Sequence, residues 1–348
     1  MKYDVIIAGG SFAGLALARQ LKGSILLIDR KKIGTGQTSA CATFKPFLYR
    51  YSCEDSILQE FNEAVLHSPQ KTLTFNFEPP LCTFDYEKFC NSMLRGIDAE
   101  MITTSVNMIH DNWVLTDKGP FQSDIIVDAT GWSSVLVSSF GKGTVQKDRL
   151  SFGYETELPC RDDKIHFYYE PKYYNSVLGW AFPCGEKTRF GVATYTGRTK
   201  LQREFKDFIG GFGFAEHRGL HGGYFPHRLR RATVDRIFVV GDAAGQCMPA
   251  SGEGIRSALF FGEVCGKIIR KVLDGQINLY QALKEYRNLV RSKRKYYTVL
   301  FNFQRLVMVL PASWVMKIAS FANKRWDFIF EKYLHSGWLG QVSRPSDP

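Results

Sequence analysis

RIFVVGDAAGQCMPASGEGIRS, residues 236–257, sets the frame for reading the chain. Residues 237–240 are a short β-branched and aromatic run, the composition of a buried strand, and Gly241 breaks it where Asp242 can reach a sugar hydroxyl. Ala243, Ala244 and Gly245 keep the next turn narrow, and Pro249, Gly252 and Gly254 set a second one. The apolar spacing of Ile255, Leu259 and Val264 predicts a helix whose first backbone N–H groups face that loop. Such a helix end carries partial positive charge. Glycines beside a helix start also occur as plain packing, so this stretch needs support from elsewhere.

The N-terminus supplies it. Residues 3–8 are β-rich, residues 9–14 read GGSFAG, residues 15–21 continue with helical spacing, and residues 24–28 give a second strand ending at Asp29. This is the pattern of a βαβ dinucleotide-binding unit: glycines let the backbone approach a pyrophosphate at a helix start, and an acid about twenty residues on meets ribose hydroxyls. In the GxGxxG frame the key positions are Gly9, Ser11 and Gly14, with Gly10, Phe12 and Ala13 completing the turn, so the middle glycine is a serine. Asp29, followed by Arg30, stands twenty positions after Gly9.

A chain of 348 residues, 45% hydrophobic and 14% aromatic, can bury a large core and fits two connected domains. Its eight cysteines form no CxxC pair and no His-spaced metal pattern, which predicts reduced thiols and no metal site. With no leader ahead of the first strand, a cytoplasmic location is expected. The net charge of +11 fits nucleic acid, an anionic membrane or a solvated basic exterior. Residues 284–295 hold six basic residues against one Glu, but no nucleic-acid module accompanies them.

Cys41 and Ala42 lie in a small-residue loop spanning residues 33–45, where the thiol is either a buried structural group or a group beside a cofactor ring. Residues 54–69 read as a helix, 72–77 as a strand, 84–94 as a helix, and 101–109 with 112–115 as a hairpin or meander. SDIIVDATG, residues 123–131, repeats the strand–acid–glycine pattern: Asp128, Thr130, Gly131 and Ser134 either line the cofactor or, for Asp128, cap the turn. From 151 to 195 the chain alternates long strands rich in Tyr and Phe, which predicts an antiparallel sheet with one face suited to an apolar substrate. Residues 279–334 are helical in pattern and aromatic. Their longest charge-free run, 306–316, has eleven residues and contains Pro311, too short to span a bilayer. These helices either pack on the cofactor domain and roof an apolar tunnel or lie in a membrane interface. The expected fold is α/β: a Rossmann-like dinucleotide-binding domain from residues 1–80, 81–149 and 225–280, an inserted antiparallel sheet domain at 150–224, and a helical region at 281–348.

GGSFAG with Asp29, DATGWSS at 128–134, VLGWAFPCGEKTRFGVA at 177–193 and VVGDAAGQCMPASGEGI at 239–255 together resemble the geranylgeranyl reductase family of flavoproteins, within the para-hydroxybenzoate hydroxylase fold class. The resemblance covers residues 1 to about 280, and the GWxFP signature is its most specific part. It implies FAD along Gly9–Gly14, ribose on Asp29 beside Arg30, contacts from Cys41 and Ala42, Val106 near the adenine, and Thr130 and Gly131 at another edge. It also implies Gly241 and Asp242 at the ribityl chain, and Pro249, Gly252, Glu253, Gly254 and Ile255 around the isoalloxazine. Trp180, Phe182 and Pro183 would wall the substrate pocket. The chain departs from the pattern at Tyr86, where the family often has arginine, and at Thr130 and Val137, where hydroxylases carry an aspartate and an arginine.

An isolated alkene is not electrophilic, so hydride from reduced flavin must be coupled to protonation of the other carbon by a placed acid, with Cys41 or a sheet tyrosine as candidates. The leading expectation is an FAD-dependent reductase of a prenyl lipid or isoprenoid quinone tail, fed by NAD(P)H or a ferredoxin-like donor. A flavin-dependent monooxygenase or halogenase on an aromatic or polycyclic substrate shares the fold, and a non-catalytic flavin or lipid carrier is the third reading.

Overall fold

The computed structural model describes residues 2–141, 145, 147, 150–169, 177–215 and 219–335. In chain order the elements are β1 (Lys2–Ala8), α1 (Phe12–Ala18), β2 (Ile25–Asp29), β3 (Ala42–Phe44), α2 (Lys45–Arg50), β4 (Ile57–His67), β5 (Thr72–Phe84), α3 (Tyr86–Leu94), β6 (Glu100–Thr103), β7 (Val106–His110), β8 (Trp113–Thr116), β9 (Gly119–Asp128) and α4 (Val135–Ser138). They continue with β10 (Leu150–Leu158), β11 (Ile165–Tyr169), β12 (Val177–Pro183), β13 (Thr188–Thr194), α5 (Gln202–Gly210), β14 (His221–Pro226), β15 (Thr233–Val234), β16 (Ile237–Val239), α6 (Ile255–Leu273), α7 (Leu279–Ser292), α8 (Arg294–Val309), α9 (Ala312–Asn323) and α10 (Trp326–His335). The chain divides into one unit of residues 1–37, 86–150 and 224–303 and another of residues 38–85, 151–223 and 304–348.

The first unit is built on a sheet of order β15-β16-β9-β1-β2-β6, extended by the β7–β8 hairpin. β16, β9, β1, β2 and β6 run parallel, as the unbroken apolar runs VIIA and ILLI require of strands covered on both faces. α6 packs along α1 so closely that a Cβ on Gly262 would fall 2.3 Å from the Ala13 carbonyl oxygen. α7 packs on α6. Its N-terminus is closed by reciprocal bonds between Asn278 and Gln281.

The second unit carries a sheet of order β14-β10-β13-β12-β11-β4-β5-β3, in which β11 and β4 pair in parallel while β10–β13, β13–β12, β12–β11, β4–β5 and β5–β3 are antiparallel. Residues 54–69, expected as a helix, form a short 3₁₀ turn and then strand β4. The pairing of β4 with β5 slips at Ile57/Gln59 and again at Phe61/Glu63, and these bulges break the two-residue alternation that would have marked a strand.

The C-terminal helices correct a second expectation. α7 does pack in the first unit, but α9 and α10 lie on β5 of the second sheet. Ala312, Val315, Met316 and Ala319 pack with Leu73, Tyr169, Leu66 and Phe75. Trp326 and Phe330 stack in parallel 5.4 Å apart, and both meet Phe77 edge-on. Among the described residues no helix is long and apolar enough to cross a membrane. The helical region expected to reach residue 348 is described only to His335.

Candidate functional site

In the first unit three turns follow the carboxyl ends of adjacent parallel strands β1, β9 and β16, the place where open α/β sheets bind ligands. The first is Gly9–Ser11. Gly9 has φ +112°, and a Cβ there would stand 2.1 Å from the Ala129 carbonyl oxygen, so no other residue fits without moving the second turn. The Gly10 N–H donates to Asp29 Oδ2 at 2.8 Å, and Lys31 N donates to Asp29 Oδ1 at 3.1 Å. Each carboxylate oxygen keeps a lone pair for a sugar hydroxyl. Arg30 beside it is exposed.

Ser11, standing where the middle glycine is expected, shares a 3.0 Å hydrogen bond with the Tyr86 hydroxyl at the start of α3. Phe12 packs edge-on to Tyr86 and tilted against Phe89. Tyr86 therefore braces the glycine turn, a role not legible from its sequence position. Val106 opens β7 and packs, half-buried, against the core of this sheet.

Asp128, fully buried, is the centre of the second turn. Its Oδ1 accepts from Thr130 N (3.1 Å) and Thr130 Oγ1 (2.6 Å), and its Oδ2 from Ser134 Oγ (3.2 Å) and Val137 N (2.9 Å). Of the two readings left open for Asp128, capping the turn is the one these bonds describe. Gly131 has open space where a Cβ would be.

In the third turn the Gly241 N–H donates to Gln246 Oε1 at 2.6 Å, and the Gln246 amide donates to the Tyr286 hydroxyl at 3.0 Å. The Tyr297 hydroxyl donates to the Gln246 carbonyl at 2.6 Å. Gln246 thus ties the turn to α7 and α8. Arg230 donates to the Trp132 carbonyl at 2.8 Å and adds positive charge beside Asp242 and Asp128. Desolvation pushes the Asp242 carboxyl up to about 6, against the downward pull of Arg230. Pro249 is buried, Gly252 exposed, and Gly254 caps α6, whose first turn holds no acid. Glu253 pairs with the fully buried Arg256 one turn along, its Oε2 accepting from Nη2 at 2.7 Å. Ile255 is buried at the helix start. Gly9–Gly14, Asp29, Thr130, Gly131, Gly241 and Asp242 are thus gathered at one end of one sheet.

Cys41, Ala42, Trp180, Phe182 and Pro183 belong to the second unit, and it brings them together. Trp180 and Phe182 pack in one apolar cluster with Ala40, Ala42, Phe61, Ile165 and Phe167. Pro183 is buried, its carbonyl accepting from Thr83 Oγ1 at 2.6 Å. The Trp180 indole N–H donates to Glu155 Oε2 at 2.8 Å, and His221 reaches Glu155 Oε1 at 3.2 Å. The hydrogen bond to Glu155 holds the His221 imidazolium above its usual range despite partial burial.

Cys41 is fully buried, with φ +48° and its carbonyl accepting from Phe84 N at 3.0 Å. Buried Arg189 straps this loop: its Nη1 donates to the carbonyls of Ala40 and Phe84, both at 3.1 Å, and its Nε to Glu157 at 3.1 Å. Burial opposes the guanidinium charge, but Cys41 and then Glu155 outweigh it and hold Arg189 above its usual range. At Cys82 burial, with Glu60 adding, pushes the thiol up to about 12 against the pull of Lys45. Arg189 and Glu155 are the residues that sequence reading missed; the alternation of β10 and β13, which puts Glu155 and Glu157 on the face of Arg189, was the available signal.

No family profile matches the chain. It is 28% identical to a digeranylgeranylglycerophospholipid reductase of Methanococcus aeolicus, over 89% of this chain and 86% of that protein. It is 23% identical to the protein of the same name from Methanocaldococcus jannaschii, over 88% and 86%. A geranylgeranyl bacteriochlorophyll reductase-like protein of Thermoplasma acidophilum superposes with TM-score 0.79 at 17% identity, over 89% of this chain and 88% of that one. Over nearly nine-tenths of its length the chain is similar to geranylgeranyl-type reductases. The fold alone is shared more widely: a probable FAD-dependent monooxygenase of Pseudomonas aeruginosa gives TM-score 0.67 at 17% identity, over 95% of this chain and all of that one. The GWAFP run lies on β12, where Trp180 and Phe182 share a face, and Tyr86 stands against Ser11.

Proposed function

We propose that the protein is an FAD-dependent reductase of isolated carbon–carbon double bonds in the prenyl chains of a lipid. The observation that carries this is the extent of the likeness to reductases named for digeranylgeranyl phospholipids, which runs through nearly nine-tenths of the chain. The donor set of the first unit suits FAD: a backbone turn open to a pyrophosphate, Asp29 for ribose hydroxyls, Asp242 for the ribityl chain, and the start of α6 for the flavin's pyrimidine edge. When bound, FAD supplies hydride to one alkene carbon. The chain's own residues must exclude water and place a proton at the other carbon. Trp180, Phe182 and the helix α10 that covers Phe44 and Phe77 supply an apolar wall, and the buried Cys41 thiol is assigned as the group that holds and passes the proton.

A prenyl lipid as substrate would bring the enzyme to a bilayer surface, and the reducing electrons would come from NAD(P)H or a ferredoxin-like protein. The test is anaerobic. Purified protein is reduced with dithionite, its flavin spectrum recorded, and a digeranylgeranyl phospholipid added. Reoxidation with a gain of two hydrogens per reduced bond in the product supports the reading. A protein that takes up no flavin, or that is reoxidised only by oxygen with a hydroxylated or halogenated product, sinks it in favour of the fold's other chemistry.

A further inference from the structure

α9 and α10 have two faces with opposite composition. The inner positions 312, 315, 316, 319, 323, 326 and 330 recur every three or four residues and are all engaged with the second sheet. The Asn323 amide and the Trp326 indole N–H both donate at 2.5 Å, to the Thr74 and Asn76 carbonyls of β5. The helices are therefore held by that face, and the outer residues do not serve the packing.

The outer face carries Trp314, Phe321 and Phe328, seven residues apart and 56%, 60% and 63% exposed. Each ring has a cation of its own over it. Lys317 Nζ lies 4.9 Å from the centroid of Trp314, the Arg325 guanidinium 5.1 Å from Phe321, and Lys332 Nζ 5.6 Å from Phe328. Lys324 stands exposed at the turn between the helices, and Lys71 reaches Ser320 from the neighbouring strand end. Asp327 and Glu331 are the only acids from 312 to 335. Just before α9, Val309 at the end of α8 is 77% exposed.

A large exposed aromatic is costly to leave in water unless something apolar receives it. A protein groove would bury the rings and desolvate the cations with them. A bilayer interface takes both, since rings sit at the acyl boundary while Lys and Arg reach phosphates at the same depth. The excess of positive charge selects for anionic lipid. We infer that the outer face of α9 and α10, through Trp314, Phe321 and Phe328 with their paired cations, docks the protein on an anionic lipid bilayer. This deepens the proposed function, on which its purpose rests: the docked helices cover Phe77, next to the apolar cluster of Trp180 and Phe182.

The test uses the full chain and sedimentation with phosphatidylcholine vesicles, with and without phosphatidylglycerol. The wild type should sediment with the anionic vesicles and be released by salt. The triple variant Trp314→Ser, Phe321→Ser, Phe328→Ser should bind at least about tenfold more weakly with an unchanged melting temperature, because the rings are exposed. It should reduce detergent-dispersed substrate at the wild-type rate and slow only on vesicle-borne substrate. Replacing Lys317, Arg325 and Lys332 with Gln should remove the preference for phosphatidylglycerol while leaving residual ring-dependent binding. Equal vesicle binding by wild type and triple variant would overturn the proposal, as would a wild type that ignores vesicles, including one whose rings prove to hold a dimer that the variant loses on size exclusion. A protein that docks but binds no flavin refutes the proposed function and leaves this surface standing.

Discussion

The Trp180 indole lies flat across Gly191 of β13, so near that a Cβ there would fall 2.1 Å from its Cζ2. The ring is pinned from its edge by Glu155, and a Cβ on Gly153 of β10 would stand 3.3 Å from it. Gly191→Ala must therefore push the indole off its carboxylate, which is expected to cost about 1–3 kcal/mol of stability. Urea unfolding reads the loss. Reoxidation of the reduced protein by prenyl substrate should slow in parallel, since the wall it uses has moved, whereas unchanged unfolding and turnover would mean that Trp180 is not held there.

Asp29 fixes the first turn and is assigned the ribose. Asp29→Ala removes the acceptor of the Gly10 N–H and is expected to weaken FAD binding about tenfold or more. Titration of apoprotein with FAD, followed by flavin fluorescence, gives the constant; equal affinity in the variant would remove Asp29 from the site. Asp29→Asn keeps an acceptor for Gly10 and should fall between the two.

Asp242 gives a pH signature. Its folded-state pKa of about 6 lies above the ordinary 3.8, so ionising it in the desolvated turn costs the apoprotein stability. That cost is present in full above about pH 6 and vanishes as pH falls below the ordinary value. Asp242→Asn apoprotein should melt higher than wild type at pH 7, and the gap should close as pH falls toward 4. A constant gap would show that the carboxyl is not desolvated as described. The same variant should bind FAD more weakly if the ionised oxygens receive the ribityl hydroxyls.

Cys41→Ala separates the two roles of its loop. Arg189 holds the loop through the carbonyls of Ala40 and Phe84, which the substitution leaves in place. The yellow colour and the melting temperature should persist, while reoxidation by alkene falls at least about a hundredfold, the lower range for losing a general acid. Undiminished reoxidation would take Cys41 out of the reaction and turn attention to the sheet tyrosines.

The hairpin of residues 54–84 and the two C-terminal helices show where local reading ends. β4 reads like a helix because its two bulges disturb the alternation, and those bulges exist only through pairing with β5. α9 and α10 are legible as helices from their periodicity, yet nothing in that periodicity says which sheet receives the inner face. Glu155 and Arg189 look like ordinary charges in a strand until β10 and β13 are laid side by side.

The sequence alone determined the dinucleotide turn, the parallel strands around it and the aromatic sheet, because each is written in short-range terms: glycines where backbone must pass close to backbone, apolar runs for buried strands, an acid at a fixed interval. Only the tertiary structure decided that Asp128 is consumed in bracing its own turn, that Tyr86 supports Ser11, that Arg189 straps the Cys41 loop, and that the rings of α9 and α10 face outward. These depend on which residues distant in the chain become neighbours, and side-chain chemistry is set by those neighbours.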